Sequence, residues 1–152
     1  MAFGAPSLKG RALRLLSQRE HSRAELERKL ARHEEEPGTL ARALDELAAK
    51  DFISEPRVVA SVLNQRAARS GALRVRQELQ AKGIAPEAIA QAVASLQDTE
   101  VERATALWRR RFDAPPADAK ERAKQMRFLM ARGFSGAVVA KVLRSDFDSG
   151  GE

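Results

Sequence analysis

Two histidines and one acidic run are the side chains whose types could support chemistry. His21 and His33 lack the i, i+4 spacing that sets two imidazoles on one metal from a single helix face. Glu34, Glu35 and Glu36 run into Pro37-Gly38. Without further oxygen ligands at spaced positions, such a run reads as a solvated loop rather than a cation site. There is no Cys and no Tyr, so thiolate nucleophiles, thiolate metal sites and disulfides are excluded. No G-x-x-x-x-G-K-[ST] occurs, and no glycine-rich loop follows a strand pattern, so nucleotide phosphates have no cradle. The expectation is a protein with no catalytic residues, no metal and no cofactor, and His21 is read as structural.

The basic residues say more. Across 152 residues the chain carries 27 Lys+Arg against 21 Asp+Glu, a net charge of +6, and 20 of the 27 are Arg. A guanidinium pairs with carboxylate or phosphate through two bonds at once, which points to an anionic partner: nucleic acid or an acidic protein surface. Arg66 and Arg69 continue the helix face of Val59, Val62 and Leu63, where long stems can cover a core edge while their heads project. Arg74 and Arg76 flank Val75, Lys82 follows, and Glu78 lies close enough to pair with this face. Arg127 and Arg132 extend the charge around Phe128. Trp108 and Phe112 bracket Arg109-Arg110-Arg111, but their four-residue spacing on an apolar face assigns both to a core. The candidate binding surface is therefore Arg66, Arg69, Arg74, Arg76 and Lys82, with Arg127 and Arg132 as its extension.

These residues sit on elements with clear punctuation. Ser7 precedes the periodic segment Leu8, Ala12, Leu15 and Leu16. Ser22 and Glu25 have capping-box spacing ahead of Leu26 and Leu30, and a third helix from Thr39 carries Leu40, Ala43, Leu44 and Leu47. Asp51-Phe52-Ile53-Ser54 reads as a connector with two buried apolar side chains, and Pro56 as the first residue of the next helix. Lys82-Gly83-Ile84 stops the helix of Leu73, Val75 and Leu79; Gly83 suits a left-handed stop and Ile84 folds back on Leu79. The device recurs fifty residues on, with Leu129, Arg132, Gly133 and Phe134. Asp118 and Glu121 have the spacing of a second capping box.

No segment alternates as a half-buried strand does, so the class is all-α, with nine helices in three groups of three. Three apolar columns share one register: Leu30, Leu79 and Leu129; Leu40, Ile89 and Val139; Leu44, Val93 and Leu143. The reading is a tail at 1–6, three-helix repeats at 7–54, 55–98 and 99–144, and a tail at 145–152. Units near fifty residues have small cores, so they are expected to stack into an elongated, curved array. With no apolar run near ~18 residues and no leader pattern, neither export nor a membrane is expected, and the protein is placed in the cytoplasm as a monomer.

Three stretches, REHSRAELERKL from Arg19, RAARSGALRVRQELQAKGI from Arg66 and QMRFLMARGF from Gln125, resemble the RecX family of regulatory proteins. The chain departs from that pattern at Ile53-Ser54-Glu55, where the family carries paired acids, and at Val59, Val62 and Leu63, where it carries aromatics. The resemblance implies a non-enzymatic modulator that lodges in the groove of RecA recombinase filaments on DNA. It would restrain strand exchange, ATP hydrolysis and co-cleavage of the SOS repressor, and touch single- or double-stranded DNA through the basic surface. The competing reading is a DNA-binding helix-turn-helix protein, which needs one helix aiming several side chains at a groove. A plain interaction scaffold is a third.

Overall fold

Serine, glycine and aspartate open six of the described helices, and left-handed residues close three of them. The computed structural model describes residues 4–149, those from Ser145 on by backbone alone. Nine α-helices follow in order: α1 (Leu8–Gln18), α2 (Arg23–Leu30), α3 (Thr39–Ala49), α4 (Glu55–Arg66), α5 (Ala72–Ala81), α6 (Pro86–Gln97), α7 (Glu100–Arg111), α8 (Ala119–Ala131) and α9 (Gly136–Ser149). No strand occurs among the described residues. Ser7, Ser22, Ser54 and Asp118 each accept a hydrogen bond from a backbone N–H three residues on, satisfying a donor that the helix itself cannot.

Helices pack within their own group of three: α1–α3, α4–α6 and α7–α9 form three units, joined by contact of α6 with α7 and by the junctions described below. Each unit has its own core. All nine residues of the three apolar columns are buried, three in each core. Trp108 and Phe112 belong to the third core, and the Trp108 indole N–H donates to buried Gln125 Oε1 at 2.8 Å. A serial arrangement of this kind spreads burial over many small contacts rather than one large one.

Gly83 and Gly133 end α5 and α8 with φ of 71° and 91°. Ile84 N donates to Leu79 O and Gly83 N to Gln80 O; Phe134 N and Gly133 N make the same two bonds to Leu129 O and Met130 O. This is the Schellman motif, and Ile84 and Phe134 fold into their cores as expected.

Six details differ from the sequence reading. The α2 stop is not a glycine: a 3-10 turn, Ala31–His33, follows, and Glu34 Oε2 accepts from Leu40 N at 2.8 Å, so part of the acidic run caps α3. The α3 end is a third Schellman motif built on Asp51 at φ 64°, with Phe52 N bonded to Leu47 O. Phe52 is 47% exposed rather than buried, because Ile53 takes the place beside the first core. Helix α4 starts at Glu55 because the Ser54 cap sets its first turn, leaving Pro56 second. Asp118 caps α8, but the return bond from the Glu121 carboxylate is not made. Finally, α9 runs on to Ser149 inside the segment read as a tail, since nothing before Gly150 breaks a helix. Residues 1–3 and 150–152, the outer parts of both expected tails, lie outside the described residues.

Three glycines separate backbone strain from close packing. A Cβ at Gly38 (φ +90°) would meet nothing within 4 Å, whereas one at Gly133 would lie 2.7 Å from Arg74 N. Gly71 has an ordinary φ of −84°, yet its Cβ would lie 2.5 Å from the Gly133 carbonyl carbon. Gly38→Ala is expected to cost about 1 kcal/mol from its φ alone. Gly71→Ala and Gly133→Ala are expected to cost more, through parting of the second and third units. Urea midpoints test this, and a Gly71→Ala melt no weaker than that of Gly38→Ala would refute the tight junction.

Candidate functional site

The start of α5 abuts the stop of α8. Gly71 N donates to Arg132 O at 2.8 Å and Leu73 N to Gly133 O at 3.1 Å. Between them, Ala72 N donates to the buried carboxylate of Glu100 at 2.8 Å. Arg103 completes the junction: its guanidinium donates to Ala67 O, Ser70 O and Leu96 O at 2.6, 2.8 and 3.2 Å, clasping the end of α4. The free donors of a helix start are thus met by carbonyls and a carboxylate of the next unit.

The junction of the first and second units is built differently at the same place. Gly83, closing α5, approaches Ala24 at the start of α2; a Cβ on Gly83 would lie 2.7 Å from that of Ala24. Arg28 Nη2 donates to Ala81 O at 2.9 Å, matching the bond from Arg74 Nη1 to Ala131 O at 3.4 Å in the next junction. The Ser22–Glu25 capping box is complete, and the Glu25 carboxylate also receives Arg19 Nη2 at 2.7 Å and Lys82 Nζ at 3.0 Å. Burial pushes the Glu25 carboxyl up, but the bonds from Arg19, the Ser22 N–H and Lys82 outweigh it and bring it down to about 2. His21 lies beneath, buried, with Nδ1 bonded to Arg19 O and Nε2 facing Lys29 Nζ, both at 3.0 Å. A carbonyl on one side and an ammonium on the other select the neutral tautomer with its proton on Nδ1. Burial, above all, holds the His21 pKa below its ordinary value.

The seven basic residues singled out in the sequence divide into two groups. Three turn inward. Arg66 Nε bonds Glu78 at 2.9 Å, Lys82 is the half-buried strut to Glu25, and the Arg132 guanidinium stacks 3.9 Å above the Phe128 ring. Arg69, Arg74, Arg76 and Arg127 are exposed, and none of them makes an ion pair among the described residues. Arg69, Arg74 and Arg76 flank or lie on α5 and Arg127 lies on α8, so the free cations straddle the junction of the second and third units. Sequence reasoning passed over the clasps. Arg103 and Glu100 carry no local signal; only their i, i+3 placement at the head of α7, behind a helix end, hints at their work. Arg57, which binds Glu20, the Asp51 carboxylate and Asp51 O, was likewise missed.

Similarity to known proteins follows the same three units. Family models for the first, second and third three-helix domains of RecX match residues 9–47, 54–93 and 98–143. The regulatory protein RecX of Leptothrix cholodnii is 57% identical over 146 residues, covering 95% of this chain and 93% of that protein. Its namesake in Ralstonia nicotianae is 49% identical, covering 91% of this chain and 87% of that protein. The crystal structure of RecX from Lactobacillus salivarius, at 20% identity, shares the fold with a TM-score of 0.77, covering 91% of this chain and 93% of that one.

The pKa directions set the acid response. Glu25 is depressed in the fold, so it stabilises fully above the ordinary carboxyl range, and this is lost as pH falls from about 4.5 toward about 2. Its contribution at pH 7 is on the order of 2–3 kcal/mol. His21 is also depressed, so protonation of the unfolded chain weakens the fold as pH drops through about 6.5. Glu25→Gln is expected to lower stability at pH 7 and to flatten the loss below pH ~4.5, leaving the His21-linked decline above it. Denaturant melts from pH 8 to pH 2.5 check this; an unchanged acid limb in Glu25→Gln would refute it.

Proposed function

Because the chain belongs to the RecX family of regulatory proteins, we propose that it binds RecA recombinase filaments on DNA and restrains them. Strand exchange, ATP hydrolysis and co-cleavage of the SOS repressor are the activities restrained, and recombinational repair and the SOS response are the processes modulated. The observation that carries this reading is the division of the arginines. Four guanidinium groups stay exposed and without carboxylate partners across one junction, while Lys82, Arg103 and Arg132 are engaged within the fold and Arg66 is held in a surface pair with Glu78. Spare cations on elements whose spacing is fixed by backbone bonds suit a repeating anionic surface. They attract it at long range and set register more than they add raw affinity.

A helix-turn-helix reader fits the same geometry poorly. The start of α5, where a recognition helix would meet bases, is occupied by the stop of α8. The third helix of the middle unit, α6, holds no Lys or Arg at all. Contact with a nucleic-acid backbone remains within reach of the exposed cations and accompanies the filament contact in this reading.

The test is RecA ATPase on single-stranded DNA, with this protein well below one copy per recombinase subunit. Arg69→Ala with Arg76→Ala is expected to raise the half-inhibitory concentration roughly tenfold, equivalent to about 1.4 kcal/mol, and to weaken its dependence on salt. The melting temperature should hold, since neither side chain makes an internal bond. Arg66→Ala, which removes a surface pair only, should inhibit nearly as well as the unaltered protein. Full inhibition by the Arg69/Arg76 variant would overturn the assignment of this surface.

A further inference from the structure

Leu73 and Met130 remain 47% and 51% exposed, and with Phe52 they are the large apolar side chains left open among the described residues. A single exposed leucine is ordinary. These two, however, stand together at one open recess of about 290 Å³ whose wall, shared with Arg74, Gln77, Ala131 and Gly133, is mostly polar, so they are its apolar spots. Neither belongs to the buried core of its unit. Both hang from the same backbone lock: Leu73 N donates to Gly133 O, and Gly133 N donates to Met130 O. The separation of their backbones is therefore set by the junction, so that binding has only the two side chains left to order.

Helical spacing surrounds the pair with the free cations. Arg76 stands three residues after Leu73 on α5, Arg69 lies in the turn that leads into that helix, Arg74 shares the recess, and Arg127 lies one turn before Met130. A phosphate backbone has use for the cations alone. A desolvated apolar centre inside a charged rim is instead the pattern of a protein contact, where a few central side chains supply most of the affinity. Methionine suits such a centre because its flexible thioether adapts to the shape it meets.

We propose that the Leu73–Met130 recess is the anchor of the protein contact. It receives an apolar side chain from a partner element whose flanks are acidic, so this face selects protein over bare nucleic acid. The inference rests on the RecA-filament reading above and names what that reading leaves open, the non-electrostatic part of the contact.

The experiment uses the full chain carrying Leu73→Ser and Met130→Ser, with Phe52→Ser as the control for loss of an exposed apolar side chain elsewhere. RecA ATPase inhibition is measured at low and high salt, alongside affinity for single- and double-stranded oligonucleotides without RecA. The expected result is a half-inhibitory concentration at least tenfold higher at both salt concentrations, with the salt dependence of the unaltered protein retained. Oligonucleotide affinity, melting temperature and the inhibition by Phe52→Ser should not change. Leu73→Met with Met130→Leu, which keeps both side chains apolar, should inhibit normally. The inference is overturned if the double serine variant inhibits fully, if Phe52→Ser is equally impaired, or if oligonucleotide binding falls in parallel. Absence of inhibition by the unaltered protein would overturn the filament reading itself, and the inference with it, an outcome distinct from the other three.

Discussion

A helix that begins or ends away from water must find partners for the polar groups its own ladder leaves free. At the junction of α5 and α8 the two halves of that problem meet, and each solves the other. Donors at a helix start face acceptors at a helix stop, with Glu100 filling the one position that no carbonyl reaches. The contact also sets the positive end of one helix dipole against the negative end of another. Backbone can approach backbone this closely only if side chains are missing, so Gly71 is a requirement of the junction alone and Gly133 of both the junction and its own left-handed turn. The arrangement of units, the placement of Leu73 and Met130 and the grouping of the free arginines all descend from it.

The arginines illustrate how one residue type can serve opposite ends. Arg28, Arg57 and Arg103 use their several donors to bind carbonyls and carboxylates across unit boundaries, a task for which a planar fork with five N–H groups is suited and an ammonium is not. Arg69, Arg76 and Arg127 have the same chemistry and no such partners. What separates the groups is only which carbonyls and carboxylates the fold brings near.

That distinction explains what could be read in advance. The helix stops at Gly83 and Gly133 were legible because every participant lies within six residues, and the organisation into three units followed from apolar columns in one register. The stop at Asp51 was not legible, since an aspartate in a left-handed turn looks like any surface aspartate. Lys82 and Arg132 passed for surface cations: the carboxylate that takes Lys82 lies 57 residues away, and the ring beneath Arg132 is recognisable only once α8 is wound. The exposed Leu73 was read as part of a stripe because α5 does carry one in Val75 and Leu79; a one-dimensional pattern does not show where a neighbouring helix leaves the surface open.

The middle unit is finished by its neighbours. Helix α5 takes the partners of its first N–H groups from residues 100, 132 and 133, and its last turn is held by Arg28. On a ribosome delivering the chain from its N-terminus, Arg132 and Gly133 emerge when most of the protein has already been made. Until then the head of α5 has water for its acceptors, and the second unit cannot close at that edge. Synthesis and assembly are thus coupled in this chain: each unit brings its own core, but the backbone lock between the second and third is among the last parts to be made.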